Sequence, residues 1–95
     1  MKQPQPVAKE PALPKLGAVV IYRVTQAEAN AVNELRTTAA HRHAGNKVHG
    51  GDELPLIVTK VHEKSFNGQL LLDGNDTCWV KSTTIGTDEG QCQKA

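Results

Sequence analysis

Large aromatic side chains are almost missing from this 95-residue chain, in which one Trp, one Tyr and one Phe make up 3% of the residues. A core must therefore be assembled from Val, Leu, Ile and Ala, with Tyr22, Phe66 and Trp79 as its only large pieces. Cysteine is also scarce. Cys78 falls in an expected strand and Cys92 in a polar tail, a poor geometry for a planned disulfide, so both read as reduced thiols in a cytosolic setting. No apolar run approaches the roughly 20 residues that span a bilayer, and residues 1–14 have no apolar centre of the kind a secretion signal needs. An excess of one charge is missing too. The formal net charge of +1 sets up no global field to draw nucleic acid or an anionic membrane, and leaves room only for a local patch.

Length sets a further bound. Residues 1–16 carry Pro4, Pro6, Pro11 and Pro14 and read as an extended, solvated arm, while residues 88–95 read as a short polar tail that frays. The arm has no clean P-x-x-P with a flanking arginine, so a linker is preferred to a Pro-rich recognition peptide. Between the two lies a single β-rich domain, residues 17–87. With about 70 residues it buries only ~60% of its unfolded surface, which leaves little room for a cleft of enzyme size.

The most explicit stretch is residues 67–84. Asn67-Gly68 and Asp73-Gly74 both accept positive φ cheaply, and the runs 69–72 and 77–82 suit strands, so two tight turns and an antiparallel meander are expected. Upstream, residues 18–24 form a β-branched run whose unbroken apolarity predicts burial on both faces or a strongly curled sheet. Thr25-Gln26-Ala27-Glu28 is a capping box that starts a helix at about Gln26. Ala27, Ala31, Leu35 and Ala39, with Val32, give that helix a narrow apolar stripe. A polar loop then leads to a strand over residues 54–62, with Pro55 near its start. The order predicts a mainly β (α+β) fold: a small SH3-like, curled antiparallel barrel with one helix inserted after the first strand and plugging an open end. An open α+β roll is the alternative.

Residues 17–22, the Asn33-Glu34-Leu35-Arg36-Thr37 segment, His43-Ala44-Gly45-Asn46, Gly51-Asp52-Glu53-Leu54-Pro55, and the L-D-G-N-D-x-x-W element from Leu72 to Trp79, followed by Ser82 and Gly86, form a set of short motifs. Together they resemble a family of small proteins of unknown function encoded by tailed bacteriophages and prophages. The resemblance covers about residues 17–90 and departs where relatives carry a longer insertion after the Arg-Thr pair. It implies a phage or prophage origin and brings no settled activity with it.

Several residues have chemical potential, and each has a plainer role beside it. His41, His43 and His49 with Asp52 are metal-ligating types, but they lie on a flexible loop without a supporting Cys pair, so no metal and no cofactor is expected. Asp73-Gly74-Asn75-Asp76 lacks the alternating ligand spacing of a calcium loop and reads as a turn. Cys78 alternates in phase with Val80 and reads as a small core side chain, Ser82 and Thr84 have no positioned base, and Gly50-Gly51 is followed by acidic Asp52 and Glu53, which repel phosphate. No catalytic residue is assigned, and the chain is read as a non-enzyme.

What remains is a surface. Trp79 and Lys81 share one face of the last expected strand, so Trp79 either points outward as an anchor or packs under Ala31 and Leu35, and the scarcity of aromatics favours packing. Arg36, Arg42, His43, Asn46 and Lys47 around the helix end and loop can form an anion-binding rim. The expectation is a small accessory protein of phage or prophage type in the bacterial host cytoplasm. It would bind, and inhibit, a host or defence protein, without contacting a membrane. Nucleic-acid binding, capture of a small nucleotide between the subunits of a homo-oligomer, and a minor virion component are the alternatives.

Overall fold

The computed structural model describes residues 12–38 and 45–95. Five strands, β1 (Val19–Arg23), β2 (Glu53–Val61), β3 (Phe66–Leu71), β4 (Thr77–Ile85) and β5 (Gln91–Lys94), close into a barrel in sequence order, and the one helix, α1 (Gln26–Leu35), follows β1. The fold is thus mainly β, a small SH3-like barrel with a single short helix, as the order of elements predicts. Neighbours pair antiparallel, with one departure: β4 and β5 run parallel where Thr84 and Ile85 meet Gln91 and Cys92. Alternation along the strands sends Val20, Tyr22, Leu56, Val58, Leu70, Val80 and Cys92 inward around Phe66, and α1 adds Ala29 and Val32 to the same cluster.

The polar tail expected over residues 88–95 is corrected by β5. Val20, Ile21 and Tyr22 pair with Lys94, Gln93 and Cys92, and Cys92 is completely buried. Gln91-Cys92-Gln93-Lys94 looks like a tail because only one side chain of the four needs to point inward.

Asn67-Gly68 is corrected as well. The β2–β3 turn lies at residues 62–65, closed by a 2.8 Å hydrogen bond from the His62 amide to the Ser65 carbonyl, and Asn67-Gly68 sits inside β3. There the register slips on both sides of Asn67, between Val58 and Lys60 in β2 and between Val80 and Thr83 in β4. Ser82 takes up its bulge with a φ of 58°, and its amide donates to Asn67 Oδ1 at 2.8 Å. Paired bulges sharpen the local twist and bend a small sheet round a barrel corner. Gly68 is required there by space rather than by a turn, since a Cβ at that position would lie 2.1 Å from Leu56 Cδ2 and 2.7 Å from the Ile57 carbonyl oxygen. Asp73-Gly74, by contrast, does lie in the connection between β3 and β4.

Helix α1 begins as predicted. The Thr25 hydroxyl accepts from the Glu28 amide, and Glu28 Oε1 accepts from the Thr25 amide. The buried face differs from the expected stripe: Ala29 and Val32 are enclosed, whereas Ala31 and Leu35 are exposed and Ala39 lies outside the described residues. Two polar residues complete the inner face. Asn33 bonds both backbone groups of Val48, donating from Nδ2 at 2.7 Å and accepting at Oδ1 at 3.0 Å, and Arg36 is tied to Asp76. Counting apolar residues alone therefore misplaces the inner face. The helix N-terminus meets the β4–β5 loop through the Gln26 amide and Glu89. Its C-terminal end meets the loop before β4 through Arg36 and Asp76, so the two ends of the helix are tied to the connections on either side of β4.

Tyr22 anchors this arrangement, its hydroxyl donating to Glu28 Oε1 at 2.6 Å. Burial, and then the hydrogen bond to and charge of Glu28, push the phenol well above its ordinary value of 10.0. The folded state keeps a proton that the unfolded chain releases, so this contribution is intact below pH 10.0 and is lost as the pH climbs past it. Tyr22 is the only tyrosine. In an alkaline titration, phenolate absorbance should rise together with loss of the far-UV dichroism. A phenolate appearing while the fold is intact would contradict the assignment.

Candidate interaction surface

Three segments of the resemblance converge on one place. Arg36 faces Asp76 in a two-pronged ion pair, Nε to Oδ2 at 2.9 Å and Nη2 to Oδ1 at 2.8 Å, with side-chain exposures of 9% and 5%. Its Nη1 donates to the Asn46 carbonyl. Asn46 in turn donates from its amide to the Asp73 carbonyl at 2.8 Å and from Nδ2 to Asp73 Oδ2 at 2.6 Å, while Gly45 bridges to Gly74. A Cβ on Gly45 would come within 2.4 Å of the Asp73 carbonyl oxygen, so glycine is needed for that approach. The hydrogen bond to Asp76 pushes the Arg36 guanidinium still higher. Arg36 and Asn46, expected on an anion-binding rim, instead clasp the helix to the loop between β3 and β4. Of the other rim residues, Lys47 is exposed beside Asn46, while Arg42 and His43 lie outside the described residues, as does His41.

Trp79 resolves the other way from the favoured expectation. It is 56% exposed and points away from the helix stripe, because its neighbours Cys78 and Val80 turn toward the core. Across the outer face it begins a row formed by the register pairs Trp79 with Gln69, Gln69 with Ile57, and Ile57 with Val19. Val19 is 49% and Leu71 37% exposed. Leu71, paired with Thr77, is diagonal to Trp79 and within reach of its ring. Ile21 and Pro55 continue the apolar surface on β1 and β2, half-buried and paired with each other. Lys81 is exposed on this face, two residues from Trp79.

The structure thus keeps Trp79 and Lys81 together and separates them from Arg36 and Asn46. It adds Val19, Ile57 and Leu71, none of which the sequence singles out as a site residue. For Val19 the signal is the unbroken apolar run of β1, whose outer half is left partly exposed by the barrel. Scattered exposed aliphatics are ordinary on a protein surface, but a contiguous group with an exposed Trp marks an interaction site.

Elsewhere the chemistry is subdued. Burial, and then Glu28 and Asp76, push the Cys78 thiol up, and burial pushes the Cys92 thiol up against a contrary hydrogen bond from Thr83. Both remain thiols at neutral pH and are poor nucleophiles. Among the described residues no three His, Cys, Asp or Glu side chains gather as a metal site, and no helix is long and apolar enough to cross a membrane. A groove of about 360 Å³ runs between residues 12–15 and the barrel, lined by Leu13, Val20, Ile85 and the stems of Lys15 and Lys94. No protein-family model, curated protein or solved structure matches this chain.

Proposed function

We propose that this protein is a non-enzymatic binding module whose ligand is another protein, held on the outer face of β1 to β4 with Trp79 as the anchor. The observation that carries the reading is the exposed indole at the end of the row Val19, Ile57, Gln69, Trp79. Burying a Trp on a partner is among the largest single contributions an interface residue makes. The resemblance to phage and prophage proteins supports the finer statement: an accessory factor of the bacterial cytoplasm that binds, and inhibits, a host or defence component.

Trp79→Ser tests the reading. The melting temperature should stay close to that of the parent protein, because the ring contributes little to the core, with a stability change within about 0.5 kcal/mol. Affinity for a partner recovered by the tagged parent protein should fall by about 2 kcal/mol or more, some thirtyfold in Kd. Unchanged affinity would remove the face from consideration. Lys81 beside Trp79 makes single-stranded nucleic acid the second reading, distinguished by a steep loss of affinity with added salt.

A further inference from the structure

Resting on that reading of the outer face, we infer that the partner presents an acidic segment carrying an apolar or aromatic side chain, which seats on the Trp79 row while its carboxylates meet Lys60 and Lys81. The corner bulges supply the geometry. Lys60 pairs with Asn67 from β2, and the slipped residues Lys81 and Ser82 lie opposite Asn67 in β4. Asn67 itself is 9% exposed and its Oδ1 is taken by the Ser82 amide, so it leaves a low polar floor between two exposed lysines. Their Cα atoms stand two strand spacings apart, about 9–10 Å. This basic row lies two residues along from Ile57, Gln69 and Trp79, roughly 7 Å away. The face therefore presents aliphatic and aromatic surface on one side and two ammonium groups on the other.

Among the described residues neither lysine has a carboxylate within ion-pair distance, and no acidic residue occurs in 57–60, 67–69 or 79–82. The nearest acid along the chain is Glu63, in the turn beside Lys64. The other charges on this face, Arg23 and Glu53, lie at its far end and are paired with each other at 3.0 Å, so the two lysines, with no ion pair of their own, attract an opposite charge without having to break an existing pair. A protein segment fits better than a nucleic-acid strand. Leu71 lies beside Trp79, with Ile57 and Val19 further along the row beyond Gln69, and the face offers no second ring on which a following base can stack.

Trp79 is the only tryptophan and reports on its own face. Its emission should be titrated with four probes of matched length: a random glutamate–tyrosine copolymer, poly-glutamate, a lysine–tyrosine copolymer and oligo-dT. The expected result is a saturable change with the glutamate–tyrosine copolymer, weaker with poly-glutamate. It should fall at least tenfold in affinity in Lys60→Glu/Lys81→Glu and by a smaller factor in Lys60→Gln/Lys81→Gln, both variants keeping the parent dichroism. Should the reversal variant misfold, the glutamine pair carries the test, and affinity unaltered there overturns the inference. Preference for the lysine–tyrosine copolymer overturns the acidic partner and leaves the surface reading standing. A response to oligo-dT alone overturns both. Silence toward all four overturns the inference, while the Trp79→Ser affinity measurement still decides the surface.

Discussion

A chain ending at Gly90 should fail to fold, although what is removed is five residues of mostly polar composition. Without β5, β1 and the end of β4 each lose the partner on one edge. The Gly86 amide loses its bond to the Cys92 carbonyl and the Thr84 hydroxyl loses its donor, Gln91 Nε2. The space filled by the completely buried Cys92 opens onto Tyr22 and Thr83. Each net hydrogen bond contributes about 1 kcal/mol, and an opened barrel gains two sheet edges that attract aggregation. A domain of this size has stability near the lower end of the usual range of about 5–15 kcal/mol, so the combined loss exceeds the reserve. The shortened chain should lack the dispersed amide spectrum and cooperative melt of the parent. A sharp melt would mean that four strands suffice and that β5 is an ornament on a stable sheet. Cys92→Asp makes the same point with the backbone ladder intact, since it places a carboxylate where no solvent reaches.

Asp76→Ala should cost about 3–5 kcal/mol, most of the available stability, by leaving the Arg36 guanidinium buried without its carboxylate. The damage would spread, because Arg36 also holds the Asn46 carbonyl and through it the pairing of Gly45 with Gly74. The informative comparison is Arg36→Met/Asp76→Leu, which removes both charges. Breaking a buried pair is expensive, whereas replacing both members with apolar groups of similar volume is often near neutral. The double variant should therefore recover most of what the single variant loses, as read by denaturant midpoints at constant m-value. If both variants lose equally, the geometry of the clasp matters more than its electrostatics.

The elements that sequence reasoning placed well are those whose signals are local. The capping box at Thr25 and Glu28, the β-branched runs of β1 and β2 and the Asp73-Gly74 connection each need only their own neighbours to be recognised. The elements misread are those whose meaning depends on distant residues. Asn67-Gly68 carries the chemistry of a turn, yet the glycine answers to the side chain of Leu56 across the sheet. Asn33 and Arg36 are polar and carry no inward signal of their own until Val48 and Asp76 are brought against them. Gln91 to Lys94 becomes a strand only because β1 and β4 offer partners. A shortage of large core residues argues for a buried Trp79, but Phe66, Leu56 and Leu70 fill the interior without it, and no local pattern reports that the interior is already full. Lys60 was invisible as a site residue because its closeness to Lys81 arises from bulges on two separate strands.

The pairing of Val20 with Lys94 also sets a tempo. The strand formed near one end of the described chain waits for the strand formed near the other, and the loop closure that joins them must be made before its contacts stabilise anything. Barrels dominated by such distant pairings reach the native state in milliseconds to seconds, far more slowly than helical proteins of equal size. During that interval the apolar outer row and the inner core residues are exposed together on an incomplete sheet. The same outer row proposed to recognise a partner is then the surface most able to capture another unfinished copy, so a partner encountered early would act as a folding guard as well as a target.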